Sequence, residues 1–246
     1  NMGEEPLLWS EFSPALYKLN VELLTDEGAD NQLVDFGMKS FGVKGTQFTI
    51  NGKTTFLRGK HDGCVFPLTG YPSTEVTDWL EQFRIAQRYG INHIRFHSWT
   101  PPVAAFKAAD IAGVYLQPEL PFWGTMDAKN TSLNQCLLHE GEQLLKEYGN
   151  SPSFTMMALG NELNGDINLM RRLVNHFRSM DNRHLYSFGS NNNLGTAGEQ
   201  AGEDFFVTCR VGRDTDSTYA THVRSSFSFA DAWKGGILNG TYPSTR

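Results

Sequence analysis

The sequence predicts an α/β chain forming part of a (β/α)8 barrel, and three observations carry that expectation. Short apolar runs alternate with helical patterns from residue 56 onward, polar and aromatic residues bunch just after each run, and no glycine-rich phosphate loop follows the first run. Repeated strand–helix alternation gives a parallel sheet with right-handed crossovers, either an open doubly wound sheet or a barrel. An open sheet gathers its ligand residues at one switch point, whereas a barrel collects them from every strand end, as this pattern does. With neither GxGxxG nor GxxxxGK[ST] after the first run, a nucleotide fold loses ground.

In chain order, Leu16 to Leu24 alternates apolar with polar residues and reads as a half-buried antiparallel strand. After the turn-rich TDEGADNQ, the stretch FGMKSFGVKGTQFTINGKTTFLRG shows short extended runs broken by the hairpin pair Asn51-Gly52. A boundary near residues 42–45 separates a β unit at 1–42 from a barrel at 43–246. Six candidate parallel strands follow: Phe56 to Arg58, Ile91 to Phe96, Val114 to Glu119, Phe154 to Leu159, Leu185 to Phe188 and Phe205 to Cys209. Val76, Trp79, Leu80 and Phe83 share one helical face that stops at Gly90. Pro101-Pro102 opens a second helix ending before Gly113, a third carries Leu137, Leu138, Leu145 and Tyr148 up to Gly149, and a fourth runs near Asn168 to Arg178. The tail after Arg210 offers no convincing seventh or eighth strand, so the barrel reads as incomplete, with six of eight units. Its first and sixth strands should then expose unpaired edges, which predicts self-association or a tail folded over the gap.

Composition narrows the function classes. A chain of 246 residues with 39% hydrophobic content can bury a sizeable core. Its formal charge of −6 gives no basic field for nucleic acid. No apolar stretch approaches the roughly 18 residues a membrane helix needs. Cys64, Cys136 and Cys209 lie far apart without a CxxC pair, which predicts neither a disulfide framework nor structural zinc. The start, NMGEEPLLWS, shows no export signal, so the compartment is not legible from it. No metal site is expected: His61-Asp62 stands where a binuclear hydrolase would show HxH, and His93, His97 and His139 lack ligand spacing. No cofactor is expected either. Phe188-Gly189-Ser190 lacks the further glycine of a nucleophile elbow.

The sharpest local feature is FTMMALGNELNGD, an apolar strand that ends in Asn161-Glu162 and opens into a helix near Asp166. A carboxyl at a barrel strand's C-terminal end faces the mouth, a position suited to proton donation. On spacing alone, Glu162 is equally a surface-loop or helix-capping carboxylate.

Together INHIRFHSWTPP, FKAADIAGVYLQPELPFWG and MMALGNEL resemble glycoside hydrolase family 2, and the likeness extends in family order over roughly residues 9 to 210. WSEFSPALYKLNVEL is similar to the last strands of that family's immunoglobulin-like domain. The stretch FGMKSFGVKGTQFTINGKTTFLRGKHD is similar to its linker, hairpin and first barrel strand. The resemblance implies an exo-acting, β-galactosidase-like hydrolase that retains anomeric configuration through two carboxyls about 5–5.5 Å apart. It makes Glu162 the general acid/base, Asn161 the partner of the sugar 2-hydroxyl, and Arg95 the cation beside the nucleophile. His61, Asp62 and His97 then stand at the mouth for substrate hydroxyls. The family nucleophile, a Glu ending the seventh strand, is expected to be missing from this chain, which implies little or no activity.

Beside the resemblance, Trp123 and Trp99 offer apolar platforms for a sugar's CH face, or pack under loops. Glu119 offers an acceptor for hydroxyls, and Asn192, with Asn191 and Asn193, offers amides, although a solvated turn suits those three better. Arg95 also fits an internal salt bridge, and His61 and His97 also fit structural hydrogen bonds. Glu199 and Glu203 read as surface loop charges. The competing function is a non-catalytic carbohydrate-binding module on a degenerate barrel; both readings name a carbohydrate as the partner.

Overall fold

The computed structural model describes residues 5–190, 200–207 and 241–243. Strands β1 (Tyr17–Thr25) and β2 (Gly28–Phe36) form an antiparallel ribbon, and β3 (Phe41–Lys44), β4 (Gln47–Ile50) and β5 (Lys53–Thr55) form a three-stranded antiparallel sheet. The β4–β5 turn is the Asn51-Gly52 pair, both residues with left-handed backbone, as a tight primed turn demands. The ribbon corrects one expectation: Leu19, Val21 and Leu23 are exposed, so the period-two pattern of β1 is real but nothing among the described residues covers its apolar face.

The parallel part begins at β6 (Gly59–Asp62). Residues 56–58, expected to be the first strand, lie just before it. Strands β6, β7 (His93–Phe96) and β8 (Tyr115–Gln117) form one parallel sheet. Parallel bridges Leu116–Phe154 and Glu119–Ala158 join β8 to β10 (Met156–Ala158), which pairs with β12 (Leu185–Ser187). A further bridge, Ser190–Val207, reaches β13 (Phe205–Val207). The described strands thus make an open parallel arc and not a closed barrel. The far edge of β13 is paired antiparallel by β14 (Thr241–Pro243), so a tail segment covers the sixth strand's edge, one of the two outcomes expected there, although no strand was expected after Arg210. Two more unexpected strands, β9 (Trp123–Met126) and β11 (Asn161–Gly165), pair in parallel along the rim.

Helices α1 (Val76–Arg88), α2 (Val103–Ala112), α3 (Thr131–Tyr148) and α4 (Ile167–Met180) follow the apolar spacings. Asn130 caps α3 through Leu133 N–H at 3.2 Å, and Asp166 caps α4 through Leu169 N–H at 2.9 Å, each side chain satisfying a donor the helix leaves orphaned. Between helices and arc lies one core that includes Trp79, Phe83, Ile94, Phe96, Leu116 and Phe177. On the inner face of the arc a second core gathers Tyr115, Met156, Phe205 and Val207 against Trp9, Phe41 and Phe48. Strand alternation explains the split: Tyr115 faces inward, Leu116 outward, and the inner row then climbs through Gln117 to Glu119. On β7 the same rule puts His93 and Arg95 opposite Ile94 and Phe96. Along β8 the inner row therefore passes from apolar Tyr115 to polar Gln117 and Glu119.

At the start of the strands, Glu11 accepts from Arg58 Nη2 (3.0 Å), Asn92 Nδ2 (2.9 Å) and Thr55 Oγ1 (3.2 Å). Glu203 corrects another expectation. It is buried, not a surface charge, and accepts from Ser187 Oγ, Phe188 N–H and Gln200 N–H, which pins residues 200–203 beside β12. Glu199 lies outside the described residues.

Candidate active site

The C-terminal ends of the arc strands bring most of the expected residues together. Arg95, on the inner row of β7, forks onto Glu119, with Nε to Oε1 at 2.7 Å and Nη2 to Oε2 at 3.2 Å. The same Nη2 donates to Asn161 Oδ1 at 2.5 Å. Glu119 also accepts from Ser98 N–H at 2.8 Å and, through a short bond, from Ser190 Oγ. Its side chain is wholly buried. Glu119 is therefore not open to sugar hydroxyls: protein donors already hold both of its oxygens.

Asn161 and Glu162 stand where the chain leaves β10 for β11. Gly160 makes that bend with φ +143°, and a Cβ there would collide with the Phe122 carbonyl, so only glycine fits. Asn161 N–H donates to Phe122 O at 3.0 Å, and Glu162 N–H donates to Ser190 O at 2.7 Å. Glu162 is partly exposed and has a left-handed backbone, φ +49°. Ser98 (φ +57°) and Cys64 (φ +58°) have the same conformation just past β7 and β6, so uncommon backbone geometry clusters at this rim.

Around the rim, the rings of His61 and His97 meet edge to face at 4.9 Å, and His97 meets Trp123 at 4.9 Å. Trp123 is 59% exposed, as a platform for a flat ligand face must be. Burial, with the Arg95 charge nearby, lowers the His61 pKa and so favours its neutral ring, which both donates and accepts hydrogen bonds. Asp62 is tied locally, by Lys60 Nζ at 3.2 Å and Cys64 N–H at 3.2 Å. Trp99 is packed against Phe66, Trp79 and Phe96, with Nε1 donating to Asp62 O at 3.2 Å, so it supports the rim from beneath. Asn192 and its two neighbours lie outside the described residues. Sequence reasoning missed Ser190, whose hydroxyl and carbonyl connect Glu119 with Glu162; its position after β12 was the available signal. Among the described residues no cluster of three or more His, Cys, Asp or Glu could hold a metal.

This geometry can be set beside known proteins. No protein-family profile matches the chain. It is 26% identical over 167 residues to a β-galactosidase of Oenococcus oeni, covering 65% of this chain and 16% of that protein. It is 24% identical over 199 residues to the β-glucuronidase of Mus musculus, covering 76% of this chain and 30% of that one. The fold superposes on a Parabacteroides merdae β-glucuronidase with a TM-score of 0.66, at 20% identity, over 74% of this chain and 24% of that one. A glycosyl hydrolase family 2 member from Bacteroides cellulosilyticus gives 0.64 at 21% identity, over 75% of this chain and 26% of that one. The chain is glycoside hydrolase family 2-like. The family 2-like chain spans 16% of the length of several bacterial β-galactosidases it matches, and it shares a mixed α/β fold with glycosidases.

Proposed function

We propose that the chain supplies the acid/base half of a retaining, exo-acting β-glycoside hydrolase site, β-galactosidase-like in preference. The reading takes residues 1–42 as the end of an immunoglobulin-like domain and 43–246 as six of eight barrel units. Its chief support is the Asn161-Glu162 pair at the bend of β10 into β11, with Asn161 held by Arg95 inside a rim of His61, His97 and Trp123. Glu162 protonates the departing glycosidic oxygen and later takes a proton from water. Asn161 Nδ2 meets the sugar 2-hydroxyl, an interaction that strengthens as the oxocarbenium-like state forms. His61, His97 and Asp62 receive other hydroxyls, and Trp123 takes an apolar sugar face.

Retention needs a second carboxyl. Among the described residues, Glu119 and Glu203 are buried with protein donors on their oxygens, so neither is placed to attack an anomeric carbon. That observation favours the second reading, a carbohydrate-binding module, for the chain on its own. The test mixes the chain with 4-nitrophenyl β-galactoside, β-glucuronide and β-mannoside, and follows binding of the methyl glycosides by saturation-transfer NMR. Binding of the β-galactoside, lost in Asn161→Ala, with little or no turnover, is the expected result. Binding of none of the three overturns the sugar reading. Robust turnover that survives Glu162→Gln overturns the acid/base assignment.

A further inference from the structure

We propose that Glu119 is the positioning residue that sets both members of the Asn161-Glu162 pair, through two separate arms. The proposal rests on the reading that this pair meets the sugar. The first arm runs through Arg95. A guanidinium carries only donors, so its Nη2 fixes which end of the Asn161 amide faces it: Oδ1 is taken at 2.5 Å and Nδ2 is left to meet a ligand. Among the described residues Nδ2 has no hydrogen-bond partner, so the bound group must be an acceptor. Arg95 is held in that pose by the fork onto Glu119, which fixes the guanidinium plane as a single bond could not.

The second arm runs through Ser190. Its hydroxyl donates to Glu119, its N–H donates to Gly160 O at 2.9 Å, and its carbonyl accepts the Glu162 N–H at 2.7 Å. Ser190 therefore fixes the peptide on which the left-handed Glu162 turns, and Glu119 fixes Ser190. A single buried carboxylate at the end of β8 thus dictates the amide orientation of one residue and the backbone of the next. Ser98 N–H, the remaining donor to Glu119, closes the cage from the neighbouring strand end.

The experiment uses isotope-labelled full chain without ligand and two reporters. One is the Asn161 side-chain NH2 signal, assigned by its loss in Asn161→Asp; the other is deuterium exchange at the Glu162 amide. Glu119→Gln should move the first and speed the second by about tenfold, the scale of one charge-assisted hydrogen bond, while α3 amides keep their protection. Arg95→Lys should move only the Asn161 signal, and Ser190→Ala should speed only Glu162 exchange, by roughly three- to tenfold. Should Glu119→Gln fail to fold, the two single-arm variants decide alone. The proposal is overturned if each variant leaves its own reporter unchanged, or if α3 exchange accelerates by the same factor as Glu162. A wild-type chain that binds no sugar would sink the reading beneath the proposal without moving either reporter, so the two failures are distinguishable.

Discussion

Glu11 and Glu119 both have buried carboxylates that hold one arginine, at opposite ends of the same arc; Glu11 accepts directly from an asparagine, whereas Glu119 reaches its asparagine only through Arg95. At the strand starts, Glu11 holds Arg58, and Asn92 spends its whole amide on protein: Nδ2 donates to Glu11 and Phe56 O, and Oδ1 accepts from Arg58 N–H. At the strand ends, Glu119 holds Arg95, yet among the described residues the Asn161 side chain engages protein only through its oxygen. The first trio is closed and the second is open on one side. Similar chemistry thus closes the asparagine amide on protein at one end, while at the other the amide nitrogen of Asn161 keeps no protein partner among the described residues, the feature that the proposed sugar contact uses.

The sharpest way to break that contrast is to remove each acid. Glu119→Ala strands Arg95 inside the arc and should cost about 3–5 kcal/mol of stability, whereas Glu11→Ala should cost about 1–3 kcal/mol because Arg58 can reach water. Urea denaturation of both variants measures the difference, and equal losses would dissolve the distinction. Gly160→Ala comes next. With no room for a Cβ beside the Phe122 carbonyl, it should cost at least about 2 kcal/mol, while Gly52→Ala, whose Cβ meets open space, should cost about 1 kcal/mol.

A smaller effect concerns protons. Burial drops the pKa of His93, on the inner row below Arg95, to about 3. Because the unfolded imidazole protonates near 6.5 and the folded one does not, stability falls as pH drops below about 6.5 and continues to fall toward 3, by about 2 kcal/mol at pH 5. Asp110 opposes this. Burial raises its pKa to about 6, so its ionised form is disfavoured in the fold and stability returns as pH falls from 6 toward 3.8. His93→Gln should therefore reduce the loss between pH 7 and pH 5 in thermal melts, while buried His184, whose pKa is also lowered, sustains part of it. The finest discrimination compares the asparagines. Asn92→Ala should cost about 1–2 kcal/mol and leave sugar binding intact, whereas Asn161→Ala should cost under about 1 kcal/mol and abolish it.

The four helices were legible because their apolar spacings and punctuating Gly, Pro, Asn and Asp act locally. Strands β9 and β11 were not, since WGTM and NELNG carry no apolar period and are held by pairing to each other. The pattern of β1 revealed its conformation but not its exposure, which depends on what covers it. Glu162, Asn161 and Arg95 were named from motifs. The role of Glu119 was missed even though its spacing from Tyr115 and Gln117 already puts all three on one strand face; what a single sequence hides is that Arg95 and Ser190 arrive from other strands to claim its oxygens. Glu203 was misread for the same reason, because its donors come from β12 and its own loop.

The backbone at Cys64, Ser98 and Glu162 has a further consequence. Each left-handed residue costs of order 1–3 kcal/mol relative to a relaxed chain, and glycine would relieve most of it. A chain selected only for thermal endurance would drift toward glycine at all three places. Glycine at any of the three would thus relax the backbone only by deleting the thiol, hydroxyl or carboxyl carried there, so stabilising redesign and rim chemistry pull in opposite directions.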